Sequence, residues 1–297
     1  MAQNSTNVRV LSGVISAVRA VSSRAASRLA FELFCITGRR RRPSFSPRPD
    51  AVERFSAGGR RVTSYLWDGG GPTVVLVHGW GGSSGDLASF VSPLRDAGRR
   101  VVAIDLPAHG RSPGRRLNLA QAAGAVEMCL RREPSVEAVI AHSFGVPATV
   151  LAAGKGAPLP RAVLISGPVS MEPYLQHFEQ VLGLAPEIRA GIRARVRRVL
   201  TEGGIGTMEL GAVAPRLQGR ALVIHDRGDR EVPFLSAQAL HRAWPGAELL
   251  ATEGLGHRRL LADPAVIDRA VRFAVGWDSA AQERPVAVPL RVLELAS

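Results

Sequence analysis

Residues 136–153 read VEAVIAHSFGVPATVLAA, and the run divides at Ser143. Val136–Ile140 is short and apolar, the pattern of a buried strand. Val146–Ala153 is compatible with a helix. Between them lies Ala141-His142-Ser143-Phe144-Gly145. A strand, a tight turn and a helix in so little chain place a serine on a sharp, strained elbow. Such an elbow needs small neighbours, because the backbone passes close to itself. Gly145 supplies one and Ala141 the other; the strict Gly-x-Ser-x-Gly pattern is missed by one methyl group, at Ala141. The same pentapeptide also fits a serine that merely caps the following helix.

The pattern extends outward on both sides. Val52–Ser56 and Val62–Trp67 flank Gly58-Gly59 and read as a β-hairpin. Strands are expected at Thr73–Val77, Arg100–Ile104, Val136–Ala141, Ala162–Ile165, Ala221–His225 and Ala247–Ala251. Helices are expected near 86–97, 118–131, 144–154, 234–243 and 262–275. Continuous apolar strands alternating with helices imply a mostly parallel sheet covered on both faces. The alternation stops over 167–215, where helical pieces carry Arg189, Arg193, Arg195, Arg197 and Arg198. A lid could sit there.

Residues 8–37 read as one amphipathic helix, with Leu11, Val14, Ile15, Val18, Val21, Ala25 and Leu29 at three- and four-residue spacing. Arg39–Arg42 and a Pro-containing linker follow. Two readings stay open: a helix packed on the domain with solvated arginines, or a basic helix lying on an anionic membrane surface. The Arg- and Ser-rich, acid-poor composition also fits a targeting peptide. The organisation expected is a basic amphipathic helix and linker over 1–50, a main domain over 51–277 and a C-terminal tail over 278–297.

The formal net charge is +13, but twelve arginines against three acids sit in residues 1–61. The body is nearly neutral. The basic run lacks interleaved aromatics or a nucleic-acid reader motif, so no nucleic-acid partner is expected. Cys35 and Cys129 form neither a CxxC pair nor a disulfide framework. A reducing, cytoplasmic setting follows, with membrane association through the arm as its variant. No stretch reaches the roughly 18 uninterrupted apolar residues of a membrane span. No metal-ligand spacing occurs, and no cofactor is expected. The oligomeric state is not encoded legibly.

A serine hydroxyl needs a base to become a nucleophile, and the base needs an orienting group. His257 lies in Gly254-Leu255-Gly256-His257, just past the last strand. Asp229 lies in Asp226-Arg227-Gly228-Asp229-Arg230-Glu231-Val232-Pro233, just past the strand before it. Both loops fall at carboxyl ends of parallel strands, where α/β sheets build their sites.

With these loops, His78-Gly79-Trp80-Gly81-Gly82 and Asp105-Leu106-Pro107-Ala108-His109-Gly110-Arg111-Ser112, the chain from about 52 to 276 resembles the α/β-hydrolase superfamily, in particular its esterase- and lipase-like serine hydrolases. The resemblance implies an α/β-hydrolase fold: about eight mostly parallel strands, helices on both faces and a small helical lid. It also implies roles. Ser143 is the nucleophile, His257 the base and acid, and Asp229 the residue that orients the imidazole. The backbone N–H groups of Trp80 and Phe144 form the oxyanion hole. Asp226 is the alternative acid, but Asp229 matches the family's Asp-x-x-Val-Pro pattern. His78, His142, Asp105 and His109 resemble positions that shape loops, and His177 and His241 have no motif around them.

The expected reaction is hydrolysis of a small carboxylic ester or thioester through an acyl-enzyme. Amide hydrolysis by the same machinery, and a non-catalytic ligand-binding role, are the alternatives. An aspartate at 143 would instead have suggested epoxide or haloalkane hydrolysis.

Overall fold

The computed structural model describes residues 2–38 and 41–277. The tail over 278–297, and Arg39-Arg40 of the basic run, lie outside the described residues. Two helices open the chain, α1 (Ala2–Val21) and α2 (Ser23–Phe34). A hairpin follows, β1 (Ala51–Ala57) and β2 (Arg60–Trp67). Then come β3 (Thr73–Val77), α3 (Val91–Asp96), β4 (Arg100–Asp105), α4 (Leu119–Arg132), β5 (Val136–His142), α5 (Gly145–Gly154) and β6 (Arg161–Ile165). After α6 (Glu172–Val181) and α7 (Pro186–Glu202), the alternation resumes with β7 (Arg220–Asp226), α8 (Leu235–Ala243) and β8 (Glu248–Thr252). The described chain closes with α9 (Gly256–Arg259) and α10 (Pro264–Ala274).

The strands form one eight-stranded sheet in the order β1-β2-β4-β3-β5-β6-β7-β8. β1 and β2 pair antiparallel, β2 meets β4 antiparallel, and every pairing from β4 to β8 is parallel. The expected mostly parallel sheet of about eight strands is therefore the fold observed. All five residues of β3 are buried, so its apolar run serves two cores. Val75, Val77, Val139, Ala141 and Leu164 pack with α4, α5 and α8 on one face. Val74, Leu76, Ile140, Val163 and Ile165 pack with α3 and α10 on the other. The period-two alternation of strand side chains makes this division.

Two sequence expectations change in detail. The helix near 86–97 is a 3-10 turn over Ser84–Phe90 followed by α3. The single helix over 8–37 is two helices broken at Ser22. Ser22 is extended (φ −160°), and its hydroxyl accepts a bond from Ala25 N at 3.2 Å. Periodicity carried across this break because the spacing on both sides stays helical; a serine cap outcompetes continuation there. No helix among the described residues is long and apolar enough to cross a membrane.

Candidate active site

Four strands deliver their carboxyl ends to one rim. β3 leads into His78-Gly79-Trp80, β5 into Ser143, β7 into Asp229 and β8 into His257. Ser143 sits in the turn between β5 and α5 with φ of +52°, a left-handed conformation for a non-glycine residue. Such a conformation costs about 1–3 kcal/mol and persists only where its surroundings enforce it. Ser143 N donates to Ile165 O at 2.9 Å, tying the turn to β6. A Cβ on Gly145 would stand 2.5 Å from Val77 O, so only glycine lets α5 start this close to β3. That is why the pentapeptide needs Gly145, whereas the methyl of Ala141 is accommodated in the buried core.

His257 is buried on α9, a one-turn helix where sequence reading expected a loop. Its Nδ1 lies 2.8 Å from Asp229 Oδ2. The Asp229 side chain is fully buried, and its Oδ1 accepts from Glu231 N at 2.8 Å and Val232 N at 2.9 Å. Burial alone would raise the Asp229 carboxyl pKa. Hydrogen bonds from His225, His257 and Val232 N–H outweigh it and hold the group well below the usual carboxylate range. Asp229 therefore stays ionised and fixes the proton on His257 Nδ1, which leaves Nε2 as the acceptor. Asp226, the alternative acid, is committed elsewhere: it accepts from Thr252 Oγ1, Leu255 N and Gly228 N, each at 2.9 Å. It shapes the two loops rather than orienting His257.

Two histidines in this site were not singled out for these contacts by sequence. His225 Nε2 lies 3.0 Å from Val232 O and 3.3 Å from Asp229 Oδ2. His142 Nε2 donates to His257 O at 2.9 Å, and the two rings stand 4.8 Å apart. Burial first, then the neighbouring His257, lowers the His142 pKa to about 4, so its ring is neutral near pH 7. The available signal was position: His142 ends the strand before Ser143, and His225 is the last residue but one of the strand before Asp229.

The loop with Trp80 is held by two more buried histidines. Leu106 N donates to His78 Nε2 at 3.1 Å, which places the His78 proton on Nδ1, donated to Gly79 O at 2.7 Å. Gly81 N donates to His109 Nε2 at 3.0 Å, and His109 Nδ1 donates to Pro107 O at 3.1 Å. The Trp80 ring packs edge-on against Phe144 with centroids 5.0 Å apart. Asp105 anchors the rim from below, accepting from Tyr65 Oη at 2.8 Å, Ser84 Oγ at 2.7 Å and Arg111 N at 2.7 Å.

Ser143, His257, Trp80 and Phe144 all line one cavity of about 750 Å³, with Asp229 behind His257. Met171, Tyr174, Val196, Val199, Leu200 and Met208, all from the segment between β6 and β7, line it too. So do Phe31, Phe34, Cys35 and Ile36 from the N-terminal arm. Sequence reading drew the main domain from 51 and left the arm either packed on it or lying on a membrane; nothing local in the arm points to a cavity. Chemically, the site offers a hydroxyl on a strained turn, an imidazole oriented by a buried carboxylate, and the N-terminal end of α5, whose dipole favours negative charge.

Comparison with known proteins fits this geometry. Residues 74–270 match the alpha/beta hydrolase family. A dihydrolipoyllysine-residue acetyltransferase component of the acetoin cleaving system from Cupriavidus necator is 38% identical over 112 residues, which is 34% of this chain and 29% of that protein. A pimeloyl-[acyl-carrier protein] methyl ester esterase from Methylococcus capsulatus is 56% identical over 45 residues, 15% of this chain and 17% of that protein. The chain thus matches less than a third of the length of these curated relatives. Among solved structures, Est1E of Butyrivibrio proteoclasticus, with ferulic acid bound, superposes with a TM-score of 0.61 at 18% identity, covering 75% of this chain and 98% of that one. A bacterial membrane phospholipase A reaches a TM-score of 0.58 at 17% identity and covers 91% of this chain and 93% of that one. With the family match running from β3 into α10, through every loop that lines the rim, the chain belongs to the alpha/beta hydrolase family.

Proposed function

We propose that the protein is a serine hydrolase that cleaves a carboxylic ester or thioester through an acyl-enzyme. Ser143 Oγ attacks the carbonyl carbon while His257 Nε2 takes its proton. The resulting oxyanion is met by the backbone N–H groups of Trp80 and Phe144, at the positive end of α5. The tetrahedral intermediate collapses, the carbon–oxygen or carbon–sulfur bond breaks, and His257 protonates the departing alcohol or thiol. Water, deprotonated by His257, then attacks the acyl-enzyme and releases the acid and Ser143. Asp229 holds the imidazole and stabilises its cation. The helical segment over 167–215 acts as a lid over the acyl site.

The observation that carries this reading is the contact of His257 Nδ1 with the buried Asp229 at 2.8 Å, on the cavity into which the strained Ser143 opens. The ester-cleaving relative from Methylococcus capsulatus and the structural likeness to Est1E support it. Steady-state turnover of p-nitrophenyl esters tests it: wild type is active and Ser143→Ala is not. Full activity in Ser143→Ala would place the chemistry elsewhere.

Peripheral contact with an anionic membrane is a further part of the proposal. Val10, Leu11, Val14 and Val21 of α1 are exposed, and so is Arg9 on the same helix. Exposed apolar side chains on a helix of a basic arm suit an anionic lipid interface. Flotation with phosphatidylglycerol liposomes is expected, and lost in Val14→Glu; equal flotation of both proteins would dismiss the contact.

A further inference from the structure

The lining of the cavity at Ser143 is of two kinds. The side chains of Glu231 and Arg258 are charged and 52% and 62% exposed. Phe31, Val196 and Leu200 are apolar and buried, Phe34 and Val199 are apolar and half-buried, and Ile36 adds an exposed apolar edge. Half of that apolar wall therefore comes from the N-terminal arm and half from α7.

The arm is fastened as part of the fold. Ser12 Oγ donates to Leu182 O at 2.9 Å, and Arg19 pairs with Glu187 at 3.0 Å. Glu32 pairs with Arg116. Thr37 N donates to Arg115 O at 3.1 Å, and Leu117 N donates to Cys35 O at 2.8 Å. The seam between α2 and α7 is made of small residues: Ala26 and Ala30 are fully buried, and a Cβ on Gly191 would stand 2.2 Å from Ser27 Oγ. That close approach holds the aromatic side of α2 over the cavity. Phe34 is further braced by the Phe178 ring of α6 at 5.2 Å. Burial pushes the Cys35 thiol up to about 12, so it adds an uncharged surface rather than a second nucleophile.

We infer that α2 and α7 together form the binding wall for an unbranched alkyl chain on the acyl side of the substrate, with Phe34 and Val199 as specificity-determining residues. The word acyl rests on the proposed ester hydrolysis; the binding of an alkyl chain does not. The assignment follows from polarity. A polar alcohol or thiol leaves past the exposed, charged Glu231 and Arg258, and the apolar chain stays against α2 and α7 until deacylation. A cavity of about 750 Å³ lies within the size range of small-molecule sites and exceeds what an acetyl group fills.

Two series test this together. One is kcat/KM for p-nitrophenyl acetate through decanoate; the other is calorimetric binding of butanoate through dodecanoate. In wild type each added methylene should raise both affinity and kcat/KM by about fourfold until the wall is filled. Phe34→Ala should lower kcat/KM for the octanoate by about tenfold or more relative to that for the acetate. Val199→Trp, which fills the same space, should do the same, and thermal unfolding identifies any variant that has not folded. If no ester is turned over but fatty acids bind with these steps and Phe34→Ala flattens them, the wall stands and the hydrolase reading falls. If neither series depends on chain length, or both folded variants keep the wild-type slope, the inference is overturned.

Discussion

The rim of Ser143, Asp229 and His257 and the arm of α1 and α2 meet at one cavity, yet they are built in different ways. The rim is made by short loops at the ends of parallel strands. Each loop carries its own local requirement: Gly145 beneath β3's carbonyls, Asp229 turned back onto Val232 N, His142 bonded to His257 O. The arm has almost no such local chemistry. It takes its place through partners about 80 to 170 residues away, such as Arg116, Leu182 and Glu187. Local chemistry can be read from a motif; long-range packing cannot. Damage should therefore fall differently in the two regions, on turnover in the rim and on chain-length preference and stability in the arm.

The largest effect belongs to the rim. Ser143→Ala or His257→Ala is expected to lower kcat by about a millionfold with the unfolding midpoint nearly unchanged. Asp229→Asn should cost about ten-thousandfold, because the wrong imidazole tautomer is then held. Asp226→Asn separates the two acids. It removes one charge from a carboxylate that braces Thr252 and Leu255, so stability should fall by about 1–3 kcal/mol while turnover stays within about tenfold. Comparable kcat losses in both variants would remove the distinction between the two aspartates.

In the arm, Gly191→Val should lower stability by about 1–3 kcal/mol through collision with Ser27, and shift preference toward short acyl chains. Ser27→Gly in the same protein should recover part of the loss. An unchanged melting temperature in Gly191→Val would mean that α2 does not pack on α7 in solution.

The pH dependence of stability again separates the regions. Burial lowers the pKa of His109 and His142 to about 4, and that of His78 also falls. For His109 and His142, between the unfolded value near 6.5 and about 4, the unfolded chain binds more protons than the folded one. Stability therefore falls as pH drops through this window, by up to about 1.4 kcal/mol per pH unit for each histidine. Asp229 has a depressed folded pKa, so its contribution is present above the usual carboxylate value of about 4 and is lost below it. Thermal unfolding of His109→Gln from pH 8 to 4.5 should show a shallower decline than wild type. No change in slope would mean that His109 titrates normally.

Much of the sheet was legible because β3, β5, β6 and β7 are continuous apolar runs bounded by turn residues, and their expected limits agree with the structure to within a residue or two. The candidate site residues could be picked out as a set because Ser143, Asp229 and His257 follow three different strands in order. The break at Ser22 was hidden, since helical spacing runs through it. The role of Phe31 and Phe34 was hidden for a deeper reason. An aromatic on an amphipathic helix reads the same whether it faces a core, a membrane or a ligand, and only the position of α7 decides. His225 was missed because a buried strand-end histidine has no signature until the loop carrying Asp229 folds back over it.

Labelling with a fluorophosphonate, followed by peptide mapping of the adduct, is the most direct measurement. The account predicts one covalent adduct, on Ser143, formed rapidly in wild type, at least a thousandfold more slowly in His257→Ala, in line with the loss expected when a triad's base is removed, and absent in Ser143→Ala. A folded wild-type protein that takes no label, or takes it on another residue, would contradict it.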